Sequence, residues 1–435
     1  MKYITASNYF HLGNSNSENS TTLVIRTVMK EPVRRDELIS AAEQAVRRFP
    51  WFAVRLCEGE NGLEYRENDS PLPVFPLEKG KQYHLGSEET NGYLFRISYG
   101  GNAIVLSQHH MVTDGKGMSE FLKTLLYYYL KETGITLDPE GLIRLNEIPY
   151  DAEAEQEMAA EKYCDLSIPE AVPGVPEGLY PFALPETYWD EAGNFECRRY
   201  VFACPSAEVK AAAEKSGTTV SAWLLALLER AYEKTYAIEE NRTIIAALTA
   251  DKRPAFQTDT MLNFSGYMIL AVPPQLRSAP FAIEAQQIKA QIEANNTKDA
   301  WLRQTNTRVR QTEKFRKMPV SELFDSKERK SRDKAGTRQA LSIMLTNVGM
   351  ARFPKDMLAH MESVDLDIPS FESTVNYAVL TVGDRMTIGM TMCFDHPALA
   401  ESIRNTLAEL GVSCTLEDCG KEKYDVLNSD AVQNA

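Results

Sequence analysis

The stretch SQHHMVTDGKGM, Ser107 to Met118, holds the residues of this chain best suited to chemistry. The chain has six histidines in 435 residues, and two of them, His109 and His110, are adjacent, with Asp114 and Gly115 close behind. Neutral imidazole, with an unperturbed pKa of about 6.5, is a proton acceptor near neutral pH, so general-base chemistry is one reading. A metal site is another. Side chains alternate along a strand, so Ile104, Leu106, Gln108 and His110 would share one face and Ala103, Val105, Ser107 and His109 the other. Neighbouring histidines then point apart and are poorly placed to hold one ion, and no C-x-x-C pair stands by to help. No metal is expected. Gly115-Lys116-Gly117 at a strand-to-helix turn resembles a phosphate cradle, but it lacks the spacing of a P-loop or dinucleotide fingerprint. The plainest alternatives are a structural histidine at a strand end and an Asp114 that only caps the next helix.

The elements around the motif must position it. NAIVLSQHH (102–110) and YLFRISYG (93–100) read as two strands joined at Gly100-Gly101, and KGMSEFLKTLLYYYLKETG (116–134) reads as the helix that follows. TTLVIRTVM (21–29) is a β-branched strand, and RRDELISAAEQAVRRF (34–49) is an amphipathic helix. Later segments repeat the style. Strands are expected at 196–204, 242–250, 265–272, 340–348, 375–382 and 386–394, and helices at 207–217, 219–234, 283–296 and 397–411. The polar tail beyond Gly420 is expected to be loose.

Length and composition bound the class. A chain of 435 residues exceeds the usual single core, so two domains are expected. Residues 166–188, with five prolines and two glycines, read as a linker between an N-terminal part (1–165) and a C-terminal part (189–435). A net charge of −14 argues against nucleic-acid binding. No secretory leader or stretch of 18 apolar residues is visible, and the seven cysteines are irregularly spaced, so a cytoplasmic location without a membrane span is expected. Ser265 lies outside any G-x-S-x-G elbow, which argues against a hydrolase nucleophile. Between Trp301 and Ala340, twelve Lys or Arg stand against five Asp or Glu, a run that is either a solvated surface or a contact for an anionic nucleotide.

HHMVTDG matches the H-H-x-x-x-D-G signature, and the chain thereby resembles the coenzyme-A-dependent acyltransferase superfamily. That superfamily includes chloramphenicol acetyltransferase, alcohol acetyltransferases, the plant BAHD enzymes and the condensation domains of peptide synthetases. The opening YFHLGNSNSENSTTLVIRTVM, then TTVSAWLLALLERAY, DKRPAF…MLNFSGYM, LSIMLTNVG and FDHPAL resemble family segments in order across nearly the whole chain. The D-F-G-W-G motif of the BAHD branch is absent, so the alcohol acetyltransferase and condensation-domain-like branches are nearer.

The resemblance implies an α/β fold of two chloramphenicol-acetyltransferase-like halves. Each half has a mixed sheet with flanking helices, and the halves form a V around a tunnel. It implies His110 as the general base, with Asp114 turned away from the histidine to pair with Arg253, and with His109 and Gly115 structural. It implies Thr346-Asn347 as an oxyanion candidate and Asn263 as a tunnel-lining residue. The co-substrate would be acyl-CoA, not permanently bound, and the acceptor a small alcohol or amine. A free-standing condensation-type enzyme using a carrier-protein thioester and a non-catalytic binding module of the same fold remain alternatives.

Overall fold

The computed structural model describes residues 4–12, 20–60, 62–171, 174–184, 196–324, 341–369 and 374–433. Before residue 166 the chain forms β1 (Thr22–Met29), β2 (Val54–Gly59), β3 (Gly62–Glu67), β4 (Val74–Pro76), β5 (Phe95–Gly100) and β6 (Ala103–His109). Beyond it come β7 (Tyr180–Pro181), β8 (Glu196–Pro205), β9 (Arg242–Asp251), β10 (Ser265–Val272), β11 (Ile343–Ala351) and β12 (Met361–Asp367). The last strands are β13 (Val375–Val382), β14 (Arg385–Met392), β15 (Thr415–Lys423) and β16 (Val432–Gln433).

Two large mixed sheets organise these strands. The first has five, in the order β12-β1-β6-β5-β4. The second has eight, in the order β10-β9-β11-β13-β14-β8-β15, with β7 also on β9. A small three-stranded sheet, β16-β2-β3, stands apart. Each large sheet packs its own core against helices. Leu38, Ala42, Phe121 and Leu125 cover the first, and Trp223, Leu227, Ile288 and Ile403 cover the second. This is the α/β architecture of two sheet-and-helix units.

The units are stitched together by exchange. β12 lies beyond the linker in sequence yet pairs antiparallel with β1, Val24 opposite Asp367 and Arg26 opposite Asp365. It also runs close under β14, where a Cβ at Gly389 would sit 2.2 Å from the Leu366 carbonyl oxygen. Charge fixes it from both sides. Asp367 accepts from Arg199 Nε at 2.7 Å and pairs with Arg26, and Asp365 pairs with Arg199.

The polar tail is not loose. Asp425 is fully buried, and its carboxylate accepts from Arg96 Nε at 2.7 Å, Ser107 Oγ at 2.5 Å and the Tyr83 amide at 3.1 Å. Val426, Leu427 and Ala431 are buried with it, and β16 then pairs in parallel with β2. A single ionised side chain with matched donors holds down a segment whose composition reads as surface.

Candidate active site

The strand β6 stops at His109, one residue before the second histidine. Gln108 Nε2 donates to the Thr113 carbonyl at 3.0 Å and closes the turn between strand and helix. The helix Gly115–Glu132 then begins, with Asp114 as its N-cap. Both glycines at its start are required by space. A Cβ on Gly117 would meet Thr113 Oγ1 at 1.9 Å and the Met261 carbonyl at 2.6 Å. One on Gly115 would press on Val348 Cγ2 at 2.9 Å, where β11 bulges toward the helix end.

His109 is wholly buried. Its Nδ1 accepts from the Met111 amide at 3.2 Å, which puts the ring proton on Nε2, 2.7 Å from Thr21 Oγ1. Burial, helped by His110 alongside, pushes its pKa down to about 3. His109 packs as a neutral, doubly bonded ring.

His110 sits in the turn, with its amide bonded to the Thr21 carbonyl at 2.9 Å. It lines a cavity of about 1010 Å³. The walls come from both sides of the linker and include Thr21, His110, Gly115, Tyr267, Thr346 and Asn347. Burial pushes the His110 pKa down to about 4, against a ring hydrogen bond to its own carbonyl and the charge of Asp114, while Arg308 pushes the same way as burial. Asn263 Nδ2 donates to the His110 carbonyl at 3.0 Å and lies 3.0 Å from His110 Nδ1. Asn263 is buried and does not line the cavity; its Oδ1 accepts from Ser265 Oγ at 3.2 Å.

Asp114 does two jobs. Its Oδ1 caps the helix through the Gly117 amide at 3.3 Å. Its Oδ2 accepts from Arg253 Nη2 at 2.8 Å and the Phe264 amide at 2.9 Å. Burial opposes this charge, but Arg253 and the two amides outweigh it and hold the carboxyl below its ordinary value. Arg253 makes three more side-chain hydrogen bonds. Nη1 donates to Asp251 at 2.9 Å, Nε to the Thr260 carbonyl at 2.6 Å, and Nη2 also to the Leu262 carbonyl at 2.7 Å. The capping reading and the ion-pair reading of Asp114 are both realised, on different oxygens.

Thr346 and Asn347 both line the cavity. The Asn347 carboxamide is occupied: Nδ2 donates to Ser221 Oγ at 3.1 Å and Oδ1 accepts from the Gly349 amide at 2.9 Å. The Thr346 hydroxyl makes no hydrogen bond among the described residues.

Two cavity residues are not evident from the motif. His11 lies flat on His110, and Arg308 stands beside Phe10 on the wall. A lone histidine in YFH gives no signal by itself. Arg308 does leave one, because Trp301, Thr305, Arg308 and Thr312 recur at helical spacing and form the buried face of the helix Lys298–Phe315. The run of positive charge therefore divides. Arg303 and Arg310 pair on the surface with Asp299 and Glu170, Arg308 is buried, and Lys327, Arg329, Lys330 and Arg338 fall outside the described residues.

No protein-family model matches the sequence, and no curated protein matches it significantly. Solved structures do match. A TRI101 structure from F. sporotrichioides complexed with coenzyme A and T-2 aligns with a TM-score of 0.57 at 12% identity, over 91% of this chain and 96% of that one. The trichothecene 15-O-acetyltransferase TRI3 from Fusarium sporotrichioides aligns at 0.58 and 11%, over 94% of each chain. The epimerization domain from the third module of tyrocidine synthetase B aligns at 0.57 and 11%, over 94% of this chain and 95% of that one.

This chain has the chloramphenicol-acetyltransferase-like fold.

Within that fold, shared by acetyltransferases and synthetase domains, the His110 turn meets the segment 251–264 through Asp114 and Arg253. Among the described residues no helix is long and apolar enough to cross a membrane.

Proposed function

We propose that the protein is an acyltransferase that moves an acyl group from a thioester to a hydroxyl or amine, with His110 as general base. One observation carries the reading. A half-buried histidine held in its neutral form faces a cavity large enough for two substrates, walled from both sides of the linker.

The chemistry uses this chain's own groups. A thioester is already activated, so no covalent enzyme intermediate is needed. The acceptor's oxygen or nitrogen attacks the thioester carbon while His110 Nε2 takes its proton, which contributes about 10²–10⁴-fold. The tetrahedral intermediate collapses, the C–S bond breaks, and the imidazolium returns the proton to the leaving thiolate. Nε2 can accept only if Nδ1 carries the ring proton. The His110 carbonyl serves as its acceptor, and Asn263 then donates to that carbonyl alone. Thr346 is the better-placed oxyanion donor of its pair, because the Asn347 carboxamide is already bonded on both atoms. Asp114 and Arg253 hold the turn and take no proton.

Free acyl-CoA is the donor we favour. One of the neighbours named above is a structure complexed with coenzyme A. A carrier-protein thioester is the second reading, favoured by the likeness to a synthetase domain. The part before residue 166 and the part after 188 act as two units sharing one site.

The deciding experiment incubates purified protein with an acyl-CoA panel and a mixed alcohol and amine library, followed by mass spectrometry. An acylated product with release of free coenzyme A is expected. Product formation only from a carrier-protein thioester would move the protein to the second reading.

A further inference from the structure

Arg308 is a buried cation that the proposed reaction does not use. It is 4% exposed, yet it lines the cavity. Its guanidinium lies over the Phe10 ring, carbon to centroid 4.6 Å. Nη1 donates to the Ser265 carbonyl at 2.9 Å. Among the described residues, Nε and Nη2 have no acceptor, and no carboxylate stands within ion-pair distance.

The neighbouring charges do not supply one. Tyr267 and Asp114 are the groups whose charge would favour the Arg308 cation, and Lys252 is a further cation that feels Arg308. Arg253 already engages Asp114 and Asp251, while Lys116 reaches Asp251 from the cavity side at 3.7 Å. Burying a guanidinium without a counter-charge is costly, so such a group is normally paired. Burial lowers the Arg308 pKa to about 10, against the opposing charges of Tyr267 and Asp114.

Position sets the scale of the ligand. Phe10 beneath Arg308 touches His11, which lies on His110, and Ser265 beside it touches Asn263, which holds His110. The open edge of Arg308 is thus close to the proton acceptor. The phosphates of a pantetheine thioester are separated from the reacting carbon by a long arm. The anion belongs instead to the part of a substrate that carries the reacting atoms.

We infer that Arg308 is a specificity residue that receives a carboxylate borne either by the acyl group or by the acceptor, next to the atoms that react. This rests on the acyltransfer reading for its meaning, but the contact itself is a binding property. A fork of two N–H donors matches a carboxylate in plane, which lysine cannot reproduce. A bound carboxylate also offsets the positive charge that disfavours protonation of His110, so the substrate would strengthen its own base.

Binding is measured by calorimetry on the full chain, with two sets of matched probes. Succinyl-CoA against butyryl-CoA tests the acyl group. Short hydroxy and amino acids against their methyl esters test the acceptor. In one set the carboxylate is expected to bind about tenfold or more tightly than its neutral partner. Arg308→Gln should abolish that preference and Arg308→Lys should keep only part of it. The set that discriminates identifies which substrate carries the charge. Equal or weaker binding of the carboxylate in every pair, in the unaltered protein, would overturn the inference whether or not a variant folds. So would a preference that survives Arg308→Gln. Binding discrimination with no turnover would leave the inference standing and remove the acyltransfer reading instead.

Discussion

His11 and His110, far apart in sequence, stack face to face, ring centroids 3.7 Å apart and planes 5° apart. The stack covers one face of the proposed base and fixes its plane. Aromatic pairs of this kind contribute about 0.5–1.5 kcal/mol beyond area burial. His11→Phe keeps a flat ring and should retain kcat within about twofold. His11→Ala frees the His110 ring and should lower kcat about tenfold with less change in KM. Equal losses for the two variants would show that stacking is not what His11 supplies.

The Asp114–Arg253 pair is buried on both sides, 4% and 2% exposed. Asp114→Asn or Arg253→Met alone strands a charge and should cost about 3–5 kcal/mol of stability. The double variant should cost clearly less than the sum, as measured by denaturant unfolding. Strict additivity would mean the two groups act independently.

Gly117 has no room for a side chain beside Thr113 and Met261. Gly117→Ala should therefore destabilise by about 1–3 kcal/mol or more, although alanine is the better helix former. Pairing it with Thr113→Ser, which keeps the offending oxygen, should give no rescue, whereas Thr113→Ala should restore part of the loss. Thermal unfolding of the three proteins separates these outcomes.

Both motif histidines are held neutral, His109 down to about 3 and His110 to about 4. Their folded values lie below the ordinary value of about 6.5, so below that pH the unfolded chain takes up more protons than the folded one. Their contribution to stability is complete above about 6.5 and is lost as pH falls toward those values. Stability should decline over that window, and His109→Gln should make the decline shallower. The acid limb of kcat/KM should likewise lie below about 6.5. An acid limb at or above that value would contradict a base held neutral.

The elements around the site were legible because they are local. Alternating apolar residues mark β5 and β6, Gly100-Gly101 marks their turn, and Asp114 opens the helix. The unread elements depend on partners distant in the chain. MESVDLD of β12 is polar at alternate positions because Asp365 and Asp367 face Arg26 and Arg199, so its burial is not visible in its own hydropathy. The tail reads as loose until Arg96 and Ser107 are seen to receive Asp425. Arg308 is hidden among surface charges, and His11 gains its place only from the helix Ala6–Leu12 packing beside Lys298–Phe315. The two glycines of the motif look like turn residues, but close contact with Thr113 and Val348 is what requires them.

The central claim is that His110 is the proton acceptor of an acyl transfer. The most direct measurement is the rate of acylated-product formation by the unaltered protein, His110→Ala and His109→Ala, with folding checked by circular dichroism. His110→Ala should lose at least about 10²-fold in kcat with its fold intact, and His109→Ala should lose stability before it loses chemistry. A folded His110→Ala protein that transfers acyl groups at close to the original rate would contradict the account.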